Sequence, residues 1–273
     1  KLMCGFLGQY SLQLSSKSEF LENLAIAKHR GPDQSGYWSD KRVQFGFNRL
    51  AIVDLSEAGS QPMQSENSNW EIVFNGEIYN HLELKKLTPN YPFKGHSDTE
   101  TILAGLEKWG FVATVKKLIG MFAIAAYHIP SKQLFIARDS VGIKPFFYNS
   151  NPENFWFASQ FNQIIKGVGK KNIKLTACGM RDFLQFGYMQ APNTIYENIK
   201  QLEPGQMAII DGKSIELKDF KKYPADVALS GLNDESDEAL SQFDTLFSKV
   251  CHDQLKADVP IGTFLSSGID STL

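Results

Sequence analysis

The sequence has no concentrated basic block, and its 28 Lys and Arg against 30 Asp and Glu leave a formal net charge of −2. A footprint for the phosphate backbone of nucleic acid is therefore not expected. Long apolar runs are missing as well. Stretches such as residues 121–127 fall far short of the roughly 20 residues that span a bilayer, and no membrane partner is expected. The first residues lack the apolar core and small-residue cleavage site of a secretory leader. Cysteine is scarce. Cys4, Cys178 and Cys251 are odd in number and far apart, so neither a disulfide framework nor a metal-ligand spacing follows. A reducing cytoplasm fits that usage. Cys178 and Cys251 fall in helical apolar patterns and read as buried packing residues. The five histidines have no ligand spacing, no metal site is expected, and no internal repeat occurs. What is present, 42% hydrophobic and 21% charged residues, is the composition of a globular protein.

Periodicity divides the chain. Residues 4–10 read as a strand and residues 17–28 as a helix, with Phe20, Leu21, Leu24 and Ala25 on one face. His29-Arg30-Gly31-Pro32-Asp33 then turns the chain. Two or three short strands are expected over 35–55, and another over 70–74 that ends at an Asn75-Gly76 turn. Ser97-Asp98-Thr99-Glu100 has the form of a capping box, with Ser97 as N-cap and Asp98 as the first helical residue. Strands follow over 120–128, 132–138 and 155–158, a short helix over 176–186, and a β pair between 206 and 217. Residues 224–236 read as loop. Next comes an amphipathic helix with Leu240, Phe243, Leu246, Phe247, Val250, Cys251 and Leu255 on one face. An apolar strand over 259–265 and a small-residue turn over 266–271 follow. Helix, strand and Gly-containing turn open a nucleotide-binding α/β unit.

Six ordered segments carry the chemistry: Met3-Cys4-Gly5, residues 29–33, Arg49-Leu50-Ala51-Ile52-Val53-Asp54, Asn75-Gly76-Glu77-Ile78-Tyr79-Asn80, residues 97–100, and residues 137–145. Together they resemble the class II glutamine amidotransferases, and within them the asparagine synthetase B branch. Residue chemistry agrees. A thiol suits attack on an amide carbon, and an N-terminal Cys carries its own base in the α-amine, with a reference pKa near ~8. The resemblance makes Cys4 the nucleophile and Asn75 and Gly76 the oxyanion hole. It gives Arg49 the substrate carboxylate and Asp98 the substrate ammonium. Leu50, Ala51, Ile52, Val53 and Glu77 line the same pocket. Arg30 and Asp33 are expected to shape the neighbouring loop, and Arg138 and Asp139 to form a buried pair. Leu265-Ser266-Ser267-Gly268-Ile269-Asp270-Ser271 looks like the phosphate loop of ATP pyrophosphatase domains. Leu265, Ser266, Ser267, Gly268, Asp270 and Ser271 would then hold ATP.

The resemblance implies an α+β fold, an N-terminal-nucleophile four-layer αββα sandwich, followed by the first helix and strand of an incomplete α/β nucleotide-binding domain. The expected division is 4–217 for the amidotransferase type 2 domain, 218–234 for a linker and 235–273 for the start of the synthetase domain. Its implied function is glutamine-dependent asparagine synthesis, in which ammonia from glutamine meets an aspartate activated by ATP as an acyl-adenylate. ATP and Mg serve the full-length protein, and the glutaminase half needs no cofactor. Glutamine, aspartate and ATP are the implied small-molecule partners, with a homodimer left open. An enzyme of this type acting on another carboxylate, such as a sugar acid in polysaccharide biosynthesis, is the alternative. A non-catalytic domain keeping the fold is another. Three departures stand out. Lys1-Leu2-Met3 precede Cys4 and would block its amine, leaving the chain inactive as given. Ser267 stands where the family has Gly, and Gln160 where it commonly has Glu.

Overall fold

Every residue of the first strand, β1 (Gly5–Ser11), is buried, because both of its faces are covered. The computed structural model describes residues 3–221 and 236–272. Ser16 caps helix α1 (Lys17–Ala25) through a reciprocal capping box with Glu19. The helix is shorter than its periodicity predicts. The backbone N–H groups of Ile26, Ala27, Lys28 and Arg30 reach carbonyls three residues back, a tightening ahead of Gly31-Pro32. The chain continues through β2 (Gln34–Ser39), β3 (Val43–Arg49), the short β4 (Met63–Gln64) and β5 (Trp70–Ile78). Helices α2 (His81–Lys86) and α3 (Asp98–Lys117) are followed by β6 (Gly120–His128), β7 (Gln133–Arg138), β8 (Phe147–Asn149) and β9 (Asn154–Ala158). Helices α4 (Phe161–Val168) and α5 (Ala177–Phe186) precede β10 (Ile199–Gln201), β11 (Gln206–Ile210) and β12 (Ile215–Asp219). Helix α6 (Asp237–Asp253) and the single turn α7 (Ile269–Thr272) end the described chain.

The strands form two six-stranded antiparallel sheets, ordered β10-β8-β9-β1-β3-β2 and β12-β11-β7-β6-β5-β4. Period-2 alternation assigns each residue to a layer. Phe6, Tyr10, Phe45, Phe47, Val73, Ala123 and Ala125 point between the sheets into the central core. Ile72, Phe74, Phe122 and Ile124 point the other way, onto Ile102, Leu103 and Leu106 of α3 and Leu84 of α2. Leu7 and Trp156 pack outward against Phe20 and Leu24 of α1 and Ile164 of α4. The layers are therefore helix, sheet, sheet, helix, as expected.

Four expectations are corrected. Asn75-Gly76 is no turn: β5 runs straight through it, paired with Ala123 and Phe122 of β6. A nine-residue ladder outweighs the turn preference of the dipeptide. Residues 259–265 form no strand, because no strand among the described residues lies alongside to accept them. Cys178 and Cys251 are exposed, not buried. Their helices carry apolar residues that nothing in the described chain covers, Phe183 and Leu184 on α5 and Phe243 and Leu246 on α6. Arg138 and Asp139 are both buried but do not bond each other. The Arg138 guanidinium donates to the carbonyls of Lys144, Leu202 and Gly142. The Asp139 carboxylate accepts from the N–H groups of Phe122, Val141, Ile143 and Lys144. Each orders a loop separately. The expected loop over 224–236 lies outside the described residues, except Ser236.

Candidate active site

Cys4 precedes β1 and packs partly against the central core. Its thiol lies 3.4 Å from the Leu50 carbonyl and accepts the Leu50 N–H at 3.3 Å. Burial raises its pKa, an effect that the Leu50 hydrogen bond and the nearby Lys144 and Arg49 charges only partly offset. A thiol in this position is protonated at neutral pH and needs a base before it can attack. The 29–33 turn holds its backbone in place. The Arg30 Nε–H donates to the Cys4 carbonyl at 3.0 Å, and the Met3 N–H donates to the Arg30 carbonyl at 2.8 Å. Asp33 accepts the Ala51 N–H at 2.9 Å. Both residues thus shape the loop, as their place in the sequence suggested.

The edge of β5 supplies the second wall. Alternate residues of an antiparallel edge strand turn their N–H groups away from the neighbouring strand. The N–H and C=O of Phe122, opposite Gly76, are engaged by Asp139 on the far side of β6. Gly76 therefore directs its own N–H away from β6. So do Phe74 and Ile78, two residues to either side. Phe74 exchanges both backbone groups with the Gln61 side-chain amide, at 2.6 and 3.1 Å. Ile78 donates to the Asp98 carboxylate at 2.9 Å. Between these two partners the Gly76 N–H faces the pocket. Only glycine fits at this point, since a Cβ would lie 2.1 Å from the Met121 carbonyl oxygen. The Asn75 side chain shares the inner face with Val73. Its Nδ2 is buried and has no hydrogen-bond partner. An unpaired buried amide donor costs free energy, and one held at such a place is suited to a charge that appears only during reaction.

Arg49 ends β3 and is 7% exposed. Its guanidinium donates to the carbonyls of Asp54 and Ser56 and to Gln34 Oε1. It therefore folds the 50–59 loop around itself. Gly59 permits the close packing: a Cβ there would lie 2.2 Å from Nη2. The Nε–H and one Nη2 N–H are left for a carboxylate. Asp98 opens α3 behind the N-cap Ser97, whose hydroxyl accepts the Glu100 N–H. The reciprocal half of the capping box is missing, because the Glu100 carboxylate instead accepts from the N–H groups of Lys94 and Gly95. Burial pushes the Asp98 pKa up to about 7 against the pull of its backbone hydrogen bonds. A buried carboxylate of this kind gains from a cationic partner. Glu77 is also raised by burial, with Lys144 opposing.

Cys4, Arg49, Leu50, Ile52, Val53, Gly76, Glu77 and Asp98 line one narrow cavity of about 50 Å³. Of the residues expected there, Ala51 and Asn75 lie outside its wall. Gln61, Ser97, Thr99 and Gly59 join it unannounced by the sequence. Lys144 was missed too. It is 7% exposed, and its ammonium lies 3.7 Å from Met3 Sδ, with the Glu77 carboxylate and the Cys4 thiol among its titratable neighbours. Nothing in a single lysine distinguishes it from a surface residue, although it sits inside the 137–145 motif. A larger apolar cleft of about 620 Å³ against α1 and α4 is lined by no nucleophile. Gln160 precedes α4 and contacts His29 at 3.1 Å, away from the pocket.

Residues 265–269 are exposed and Ser271 is half-buried. Ser271 Oγ accepts the Ser266 N–H and donates to nearby carbonyls, and Ser266 Oγ accepts the Gly268 N–H. Small hydroxyl residues and free-standing N–H groups at a helix start are the donor set that suits phosphate oxygens. Among the described residues no group of three or more His, Cys, Asp or Glu side chains could hold a metal ion, and no helix is long and apolar enough to cross a membrane.

The family profile described as a glutamine amidotransferase domain matches residues 3–223, and one described as asparagine synthase matches residues 242–273. Asparagine synthetase [glutamine-hydrolyzing] 1 of Bacillus subtilis (strain 168) is 34% identical over 99% of the chain and 43% of its own length. A putative asparagine synthetase [glutamine-hydrolyzing] 2 of Methanocaldococcus jannaschii is 32% identical over 99% of the chain and 56% of its own length. The chain thus spans about half the length of these curated relatives, or less. Among solved structures, glutamine phosphoribosylpyrophosphate amidotransferase from B. subtilis superposes with a TM-score of 0.59, at 18% identity, over 80% of this chain and 49% of that one. That likeness bears out the N-terminal-nucleophile sandwich as the fold.

Proposed function

Because this chain belongs to the glutamine amidotransferase domain family, we propose that it hydrolyses glutamine at Cys4 and, within its full-length protein, delivers the ammonia to an asparagine-forming site. The observation that carries this reading is the Gly76 N–H, directed into the pocket between Gln61 and Asp98. Beside it is the unpartnered Asn75 Nδ2, on the strand that faces the Cys4 sheet.

In a chain that begins at Cys4, the α-amine takes the thiol proton as Sγ attacks the amide carbon. The carbonyl oxygen becomes an oxyanion held by Asn75 Nδ2 and the Gly76 N–H. As it collapses, the carbon–nitrogen bond breaks and the α-ammonium returns its proton to the leaving ammonia. Water, giving a proton to the α-amine, then attacks the thioester through the same oxyanion site; the carbon–sulfur bond breaks, Sγ takes the proton back, and glutamate leaves. Arg49 grips the substrate carboxylate, and Asp98 with Glu77 pairs the substrate ammonium. Ile52 and Val53 close the wall, with Leu50 and Ala51 fixing the loop. Residues 4–217 form the glutaminase unit and residues from 235 open the synthetase unit. There Leu265, Ser266, Ser267, Gly268, Asp270 and Ser271 would hold ATP. Bound ATP with Mg supplies the activation of the aspartate carboxylate.

The test uses the full-length protein beginning at Cys4, supplied with glutamine, aspartate, MgATP and, in parallel, free ammonia. Asparagine from both nitrogen sources is expected, and alkylation of Cys4 by a glutamine-mimicking chloroketone should abolish only the glutamine-supported route. Glutamine-supported synthesis that survives alkylation would overturn the role of Cys4. Failure to make asparagine from ammonia would overturn the acceptor.

A further inference from the structure

Residues 256–258 lie after α6, on the synthetase side of the chain, yet they bond Ile52 in the wall of the pocket and residues beside that wall. The Asp258 carboxylate accepts the Asp54 N–H at 2.7 Å. The Asp258 N–H donates to the Ile52 carbonyl at 2.9 Å. These two bonds form a closed backbone bracket around residues 52–54, and Ile52 and Val53 line the pocket. The same carboxylate oxygen lies 2.6 Å from Nε2 of His96, and the His96 N–H donates to the Asp54 carboxylate at 2.9 Å. His96 thus joins Asp54 and Asp258 just ahead of Asp98. Two residues past Glu77, the Lys256 ammonium donates to the Tyr79 carbonyl at 3.1 Å, directly after β5. Asp253 fixes that lysine at 2.7 Å.

The remaining restraints on the loop come from within the amidotransferase unit. Arg49 holds the carbonyls of Asp54 and Ser56, and Asp33 holds the Ala51 N–H. Backbone N–H groups in a loop cannot pair with a neighbouring strand, so each depends on a specific acceptor. For Asp54, whose φ is +54°, that acceptor is Asp258.

We propose that Asp258 is a positioning residue for glutamine binding, a latch by which the opening segment of the synthetase unit sets the Ile52–Asp54 wall of the glutamine pocket. By linkage, whatever shifts residues 256–258 changes glutamine affinity, and glutamine binding restrains those residues in return. This goes beyond the proposed function and rests on it only for the identity of the ligand.

Two measurements test the latch, one independent of activity. In hydrogen exchange on the present chain, Asp258→Ala should speed exchange of the Asp54 amide by at least about tenfold, as loss of a charge-assisted hydrogen bond implies. Asp258→Glu should restore part of the protection. In the full-length protein starting at Cys4, the same Asp258→Ala change should raise the glutamine KM about tenfold and leave the glutaminase kcat within about twofold. Unchanged exchange at Asp54 would overturn the latch whether or not the protein hydrolyses glutamine. Faster exchange with an unchanged KM would overturn the coupling. An active wild-type enzyme is the separate criterion for the glutaminase reading.

Discussion

In the proposed reaction, Asp98 serves binding at the expense of stability. Its pKa of about 7 lies well above the ordinary value near ~4. The folded state therefore holds the proton more tightly than the unfolded chain. Stability falls as pH rises from about 4 to about 7, the window between those two values. Asp98→Asn, which keeps an acceptor for the Ile78 N–H, should raise the thermal midpoint at pH 8 by at least about 2–4 °C and have little effect at pH 4. A lower midpoint at pH 8 would show that burial of the charge is not costly. Binding should move the opposite way. With Cys4→Ala to prevent turnover, glutamine affinity measured calorimetrically should weaken below pH 7 as Asp98 takes up its proton. Asn75→Ala should leave glutamine KM within a few-fold and lower kcat about 10²–10³-fold, the usual loss for one oxyanion donor. Cys4, Arg49 and Asp98 were legible as positions in motifs. The contributions of Lys144 and Gln61 were not, because burial of a single polar side chain leaves no local pattern.

At the scale of elements, β5 is where sequence and structure differ most usefully. Asn-Gly between an apolar run and a polar stretch predicts a turn, and in isolation it would form one. The ladder from Trp70–His128 to Ile78–Gly120 carries the strand past it. That continuation aligns Phe74, Gly76 and Ile78 along one edge and makes the Gly76 N–H available. A substitution at this point acts on the strand as a whole. Gly76→Ala places a Cβ 2.1 Å from the Met121 carbonyl and 2.8 Å from Phe122 Cα. Urea unfolding should register a loss of about 1–3 kcal/mol, with glutaminase activity removed. Full activity in this variant would mean that β5 and β6 can part without disturbing the pocket. The expected strand over 259–265 failed for the complementary reason. Its apolar run reads as a strand, but a strand exists only where another accepts its hydrogen bonds.

Among the described residues, the three apolar clusters draw on residues up to Phe220, and no residue of α6 is buried. The sandwich should therefore fold without the segment that follows. A chain ending at residue 221 should keep its thermal midpoint within about 2 °C, since changes away from the core cost little. A large drop would assign α6 a structural part in the sandwich. The four-layer order was foreseeable from the motifs, whereas helix and strand periodicity alone gave only a mixture of α and β. Alternation within each strand then fixed which residues face which layer.

In the proposed reaction Cys4 attacks glutamine with its own α-amine as base. Ammonia release from glutamine should be compared for a chain beginning at Cys4 and for one that retains Met3 in peptide linkage to it. The chain beginning at Cys4 is predicted to release ammonia and glutamate in equal amounts, and the extended chain at least about 10²-fold more slowly, the usual worth of a positioned base. Equal rates from the two chains would contradict the α-amine as the base.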